Sequence, residues 1–268
     1  MDEVLFYCEE VFFNKYIYPE DFCLEQGSIG RQILSLSIIE IFGGYGIYLI
    51  TSGIAYILFF DKELCKHPLF LKNQVKTEIK TCILLLPIVS LMQVPLFLLQ
   101  INGFSKLYTK HDLAAADFLL EAVQLAFFTD FMAYWIHRLT HCKLLYKKLH
   151  KIHHMSKIPT PFASLLFHPV DGFLQSAPFH LYGFLFPLNK DVFLVMLIFG
   201  SCFAVFLHEG NYRMPKWFRR VFNGPHQHTA HHLYYNYNYG QYFTFWDRIG
   251  GTYRDFGDDM VTCASKKD

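Results

Sequence analysis

Residues 113–141 read LAAADFLLEAVQLAFFTDFMAYWIHRLTH, an apolar run that ends in His137 and His141. From Leu113 to Ile136 it is interrupted only by Asp117, Glu121 and Asp130, and it exceeds the roughly 20 residues that cross a bilayer as a helix. At about 3.6 residues per turn, positions four apart share a helix face, so both imidazoles project from the same side. One helix thus crosses an apolar medium and delivers two metal-ligand side chains at its end.

Working outward, His150, His153 and His154 form a second cluster and His228, His231 and His232 a third, giving the spacings HxxxH, HxxHH and HxxHH in a chain with 14 His in 268 residues. Positions i, i+3 and i+4 lie on one helical face, so each cluster is expected to present its imidazoles to a common point. A catalytic zinc takes three protein ligands and a structural one four, so eight imidazoles imply two metal ions. Neutral imidazole suits Fe, Cu, Zn and Ni. HExxH is absent, as are paired ExxH motifs, so neither a zinc hydrolase nor a carboxylate-bridged bundle is indicated. His168 and His208 sit where apolar stretches meet charged ones and would raise the ligand count from eight to ten. His226 falls outside the HxxHH frame, and it is read with His67, His111 and His180 as a non-ligand. Neutral ligands leave the metal charge to outer carboxylates, for which Asp130, Asp171, Glu209 and Asp247 are candidates.

The rest of the chain fits a membrane setting. Hydrophobic residues make up 53% and charged residues only 18%, with 29 Phe and 17 Tyr. Further apolar runs lie at about Ile33 to Phe60 and Cys82 to Ile101, and Phe173 to Leu207 breaks at Asn189-Lys190-Asp191 as a hairpin entering and leaving from one side. Lys62, Lys66, Lys72, Lys76 and Lys80 lie between the first two runs and argue that this connection is cytosolic. The N-terminal stretch, with Asp2, Glu3, Glu9, Glu10, Glu20, Asp21 and Glu25 against Lys15, would then be lumenal. Counting spans puts all three clusters on the cytosolic face, beside Arg138, Lys143, Lys147, Lys148, Lys151, Arg213, Lys216, Arg219 and Arg220. Acidic residues stand where a signal peptide needs a basic region, so no cleavable signal is expected.

The seven Cys are scattered and never spaced CxxC, which argues against a disulfide framework or thiolate zinc site. No polybasic stretch points to nucleic acid. The expected fold is an all-α integral membrane helical bundle with a cytosolic, histidine-rich di-metal cap. Its parts are 1–112 with two spans, a catalytic region 113–254, and a tail 255–268 whose Lys266 and Lys267 nearly form a dilysine retrieval signal. Redox metals at a membrane, with no flavin, nicotinamide or haem motif, imply oxygen activation on an apolar substrate with electrons from another protein. The residues alone leave hydroxylation and desaturation open. A metal transporter would carry its ionisable residues within the spans, whereas these clusters lie beyond them.

The clusters in this order around an apolar hairpin resemble the fatty acid hydroxylase/sterol desaturase superfamily. Within it, DFMAYWIHRLTH (130–141), KKLHKIHH (147–154), KIPTPFASLLFHPVDGFLQSAPFH (157–180), HTAHH (228–232) and YNYGQYFTFWDRIGGTYR (237–254) are similar to the Δ7-sterol 5-desaturases. The resemblance covers about Asp117 to Tyr253 and implies that His137, His141, His150, His153, His154, His228, His231 and His232 are catalytic iron ligands, with His168 and His208 as further matching positions. Gln227 and Ala230 stand where relatives carry His and Asp, a departure expected to tune the site without changing its identity. The resemblance further implies two non-haem Fe ions, a sterol substrate, molecular oxygen, and electrons from NAD(P)H through cytochrome b5 and its reductase at the endoplasmic reticulum membrane. The activity implied is formation of the 5,6 double bond of a 7-unsaturated sterol, the alternative being a sterol or fatty acyl hydroxylase or sterol C-4 methyl oxidase of the same superfamily.

Overall fold

A computed structural model of the chain describes residues 1–18, 22–210 and 214–257. Glu20, Asp21, Arg213 and the tail lysines 266 and 267 lie outside the described residues.

Five helices make the bundle: α1 (Ile29–Leu58), α2 (Gln74–Ile101), α3 (Ala115–Thr140), α4 (Pro169–Leu185) and α5 (Lys190–Leu207). All but α4 are long and apolar enough to cross a membrane. Their outward faces carry large apolar side chains, with Phe42 68%, Ile57 75%, Leu84 62% and Leu119 63% exposed. Serines, glutamines and carboxylates such as Ser35, Ser52, Gln100 and Asp130 are buried instead. Apolar residues facing out and hydrogen-bonding residues facing in is the arrangement lipid selects, because lipid satisfies no polar group.

Three helices begin earlier than their apolar runs: α4 starts at Pro169 rather than Phe173, its first turn carrying buried Asp171, and α1 and α2 do so for a like reason. α1 extends back to Ile29, with the Ser28 hydroxyl accepting from the Arg31 amide, and buried Arg31 is neutralised by Glu9 at 3.5 Å. α2 starts eight residues before Cys82, because its first two turns aim Gln74 and Glu78 inward at the loop after the second histidine cluster. Pro87 and Pro95 lie inside α2 without ending it. A polar residue with an internal partner costs a span little, and apolar composition does not register such partners.

α4 and α5 form the expected hairpin. Pro169 occupies the first position of α4, where its missing N–H costs nothing. The Asn189 side chain caps α5, accepting from the amides of Asp191 at 2.8 Å and Val192 at 3.4 Å. The hairpin tip runs to the far end of the bundle, where Leu188 and Asn189 pair in parallel with Leu107 and Tyr108 in the α2–α3 connection. The N-terminal segment gathers at the same end: Asp2 pairs with Lys190, and exposed His111 lies 3.8 Å from both Glu3 and Asp191. The opposite end carries the α1–α2 connection and all three histidine clusters. α6 (Pro225–Tyr234) holds the third cluster there, with Ala230 packed against Ile158.

Buried Asn189 also donates to the Lys110 carbonyl at 2.9 Å, so one side chain ties the hairpin tip to the α2–α3 connection. Replacing it with Ala removes a cap and a loop contact, and is expected to lower stability by about 1–2 kcal/mol. Thermal unfolding in detergent measures this, with the metal content of the folded fraction unchanged.

Candidate metal centre

The clusters do not each converge on a point of their own. Ring nitrogens of His137, His141, His150, His154 and His231 form one group, and those of His153, His208, His228 and His232 a second, with the candidate ligand atoms of each group within 4.8 Å of one another. Helix geometry explains the mixing. Neighbours on a helix point about 100° apart, so on α6 His228 and His232 share a face while His231 turns to the other group. The second cluster lies on no regular helix. His150 closes a π-helical turn (Tyr146–His150) and His153–Met155 is a 3₁₀ turn, so the adjacent His153 and His154 face different groups.

The hydrogen bonds of these rings fix their protons. His137 Nδ1 donates to the Tyr239 carbonyl at 2.9 Å, His231 Nδ1 to Tyr237 at 2.8 Å, His232 Nδ1 to Ser156 at 3.0 Å and His208 Nδ1 to Ala204 at 2.7 Å. His150 Nδ1 donates to Asp171 Oδ2 at 2.6 Å, both side chains being fully buried. A carbonyl can only accept, so the proton sits on Nδ1 and the Nε2 lone pair points inward. There it meets other lone pairs. His137 Nε2 lies 3.1 Å from His150 Nε2, and the Nδ1 proton of each ring is already committed elsewhere. Similar approaches of 3.0–3.2 Å join His154 to His141 and His231, and His228 to His208 and His232.

Protonation does not relieve the contact. Burial, reinforced by the neighbouring imidazoles, pushes His153, His154, His228, His231 and His232 well below the usual histidine range, and burial brings His208 down to about 4. Both nitrogens of buried His153 lack a hydrogen-bond partner, as does His154 Nδ1. An unsatisfied buried group costs about 1–3 kcal/mol. Converging neutral lone pairs and orphaned nitrogens are what a pair of cations would satisfy, so the donor set fits two metal ions held by nine imidazoles.

Carboxylates stand one layer out. Asp171 reaches a ligand-type ring directly, through His150. Asp247 accepts from the amides of Tyr239 and Gly240, both at 2.8 Å, and so holds the carbonyl that receives the His137 proton. Asp130 accepts from the amides of Gln241 and Tyr242 at 2.9 and 2.6 Å and acts on the same loop. A Cβ at Gly240 would lie 2.6 Å from the Phe243 carbonyl oxygen and from Asn223 Nδ2, so this loop requires glycine there. Glu209, buried beside His208 in sequence, has its carboxyl pushed up to about 7 by burial.

Other expected residues fall elsewhere. His168 is brought to neither group, because its Nδ1 accepts from the Val170 amide at 3.3 Å and caps α4. His226 faces the Gly257 carbonyl at 2.9 Å, and His180 the Gln100 side chain at 3.3 Å. Gln227 donates to the Arg219 carbonyl at 3.0 Å. Among the four tyrosines of residues 234–239, Tyr239 packs on His137, His141 and His231 with centroids 5.1–5.5 Å apart, and Tyr235 lies 4.9 Å from His154. Tyr234 stacks on Phe256 instead. Phe167, which lies in the quoted 157–180 string but was not singled out as a site residue, stacks on His153 at 4.4 Å.

A fatty acid hydroxylase family model matches residues 122–252, a span that encloses every imidazole of both groups. The chain belongs to the fatty acid hydroxylase family. It is 45% identical over 258 residues to human lathosterol oxidase, covering 95% of this chain and 86% of that protein. It is 44% identical to the Delta(7)-sterol 5(6)-desaturase of Eremothecium gossypii and 42% identical to that of Saccharomyces cerevisiae, covering 91% and 88% of this chain and 70% and 65% of those proteins. No solved structure matches it.

Asp171→Asn keeps the shape but removes the charge that His150 donates to. Outer partners of this kind typically change metal affinity by about 10–100-fold. The variant is expected to surrender one metal per chain at correspondingly lower chelator concentration, as read by elemental analysis.

Proposed function

We propose that the chain is a membrane sterol 5-desaturase that introduces the 5,6 double bond into a 7-unsaturated sterol at a non-haem di-iron centre. The observation that carries this reading is the pair of adjacent all-imidazole groups at one end of a lipid-facing bundle, in a chain 42–45% identical to sterol desaturases over most of its length. The overall reaction balances as loss of one hydrogen each from two neighbouring sterol carbons, with molecular oxygen, two electrons and two protons giving two waters. Electrons come from NAD(P)H through cytochrome b5 and its reductase.

His137, His141, His150, His154 and His231 would hold one iron and His153, His208, His228 and His232 the other. When bound, the irons supply oxygen activation and abstraction of hydrogen from carbon. The residues supply placement and dryness. Carbonyls and Asp171 keep Nδ1 protonated and Nε2 available on His137, His150, His208, His231 and His232, and burial of the rings excludes water that would intercept the reaction. His141 is half-buried, and Tyr146 and Tyr235 pack beside His141 and His154, so these rings form the wall nearest an entering apolar substrate. A double bond rather than an alcohol requires the second hydrogen to be held within reach, so this wall governs the outcome.

We place the centre on the cytosolic face of the endoplasmic reticulum. Supporting this, the exposed Lys62, Lys66, Lys72, Lys76 and Lys80 lie at the histidine end of the bundle and the acidic N-terminal segment at the other. Glycosylation acceptors inserted at the N-terminus are expected to be modified and those near Lys216 to remain bare; the reverse pattern would refute the orientation.

Expression in cells lacking their own sterol 5-desaturase tests the activity. Sterol profiling should show an ultraviolet-absorbing 5,7-diene, whereas a hydroxysterol or an oxidised C-4 methyl sterol would assign the chain to the hydroxylating side of the family. Alanine at His141, His153, His154, His231 or His232 should abolish the diene. His168→Ala, which removes only a helix cap, should cost about 1 kcal/mol and spare turnover, and His226→Ala should retain most activity.

A further inference from the structure

Glu78 is a fully buried carboxylate on α2, a membrane-spanning helix that carries no metal-binding motif. Ionisable groups inside spans are costly and are kept where they have a partner. Glu78 has three. Ser156 Oγ at 2.6 Å and Gln74 Nε2 at 2.9 Å donate to Oε1, and Thr160 Oγ1 donates to Oε2. The Gln74 amide also donates to the Ile158 carbonyl at 2.8 Å. These contacts converge on residues 156–160, the turn that follows His153–Met155.

The Ser156 carbonyl is the acceptor for His232 Nδ1. A chain of contacts therefore runs from α2 through Glu78 and Ser156 to His232, in the second imidazole group. The first group hangs from other supports: Asp171 for His150, the Asp247-held loop for His137, and the Tyr237 carbonyl for His231. Loosening the 153–160 turn would disturb His153 and His232, two of the four rings of the second group. In the first group it would disturb His154, one of five. A four-membered set has no ligand to spare.

We propose that Glu78 is the positioning residue of the second group, fixing the 156–160 turn so that the Ser156 carbonyl sets the proton position and direction of His232. The N-terminal spans then hold one of the two metal positions selectively. This rests on the reading of both groups as metal positions.

The experiment compares the wild-type chain with Glu78→Ala, Glu78→Gln, Asp171→Asn and the Glu78→Ala/Asp171→Asn double variant, each purified from membranes and reconstituted with Fe(II). Iron per chain is measured across a chelator titration, alongside the melting temperature. Wild type should hold two irons. Glu78→Ala should release one of them at roughly tenfold or more lower chelator concentration while the other titrates as in wild type. Glu78→Gln should restore near-normal retention, since an amide can accept from Ser156 and donate to Thr160. The double variant should lose both irons. If Glu78→Ala does not accumulate in membranes, Ser156→Ala, which deletes the hydroxyl and keeps the carbonyl, must show the same selective loss. Two irons retained in Glu78→Ala with an unchanged titration, or parallel loss of both, would overturn the proposal. Fewer than two irons in the wild-type chain would overturn the two-group reading itself and the proposal with it.

Discussion

The site depends on where five protons are kept. His137, His150, His208, His231 and His232 each point Nδ1–H outward at an oxygen and leave Nε2 bare on the inside. Four of the five oxygens are backbone carbonyls, which cannot give a proton back. The interior is thereby committed to lone pairs, and buried lone pairs 3.0–3.2 Å apart are tolerable only around a cation. Much of the surrounding architecture serves this outward pattern. The 237–243 loop is pinned by Asp130 and Asp247, and the 156–160 turn is fastened to α2.

The bundle was legible because lipid imposes a simple code. Long apolar runs and a break at Asn189 suffice to mark α1, α2, α3 and the α4–α5 hairpin, and the errors concern where α1, α2 and α4 begin. Those errors arise at Arg31, Gln74, Glu78 and Asp171, polar residues whose partners lie far away in sequence. The histidines were legible as a set because their density and spacing mark them out, and the eight clustered ones do gather in two groups. Their division into two groups was not. It follows from a π-helical turn at Tyr146–His150 and from the 100° step between His231 and His232, and neither leaves a mark in spacing alone. His168 shows the reverse difficulty, since a histidine that caps a helix looks in sequence like one that binds a metal.

The outer supports were the least legible part. A carbonyl has no side-chain identity, so nothing in Ser156, Tyr237, Tyr239 or Ala204 advertises its role. Asp171 could be suspected from its place three residues after His168, yet it serves His150. The N-terminal third offered no motif, although Tyr48, Ser52 and Cys82 all donate to the carbonyls of Pro161 and Phe162. Its contribution is to hold backbone in place, a task that leaves no motif of the kind a histidine cluster leaves.

The hairpin between the second and third clusters bears on how the protein is made. His137 and His150 are 13 residues apart, but His154 and His231 are 77 apart, with α4 and α5 between them. Synthesis runs from the first two clusters to the third, so the third can join them only after the whole hairpin, whose tip pairs with residues 107–108, has been made. Until then the early imidazoles form an incomplete set, lacking His208, His228, His231 and His232. On the proposed reading of these rings as ligands, completion of the metal positions is thus coupled to placement of the hairpin.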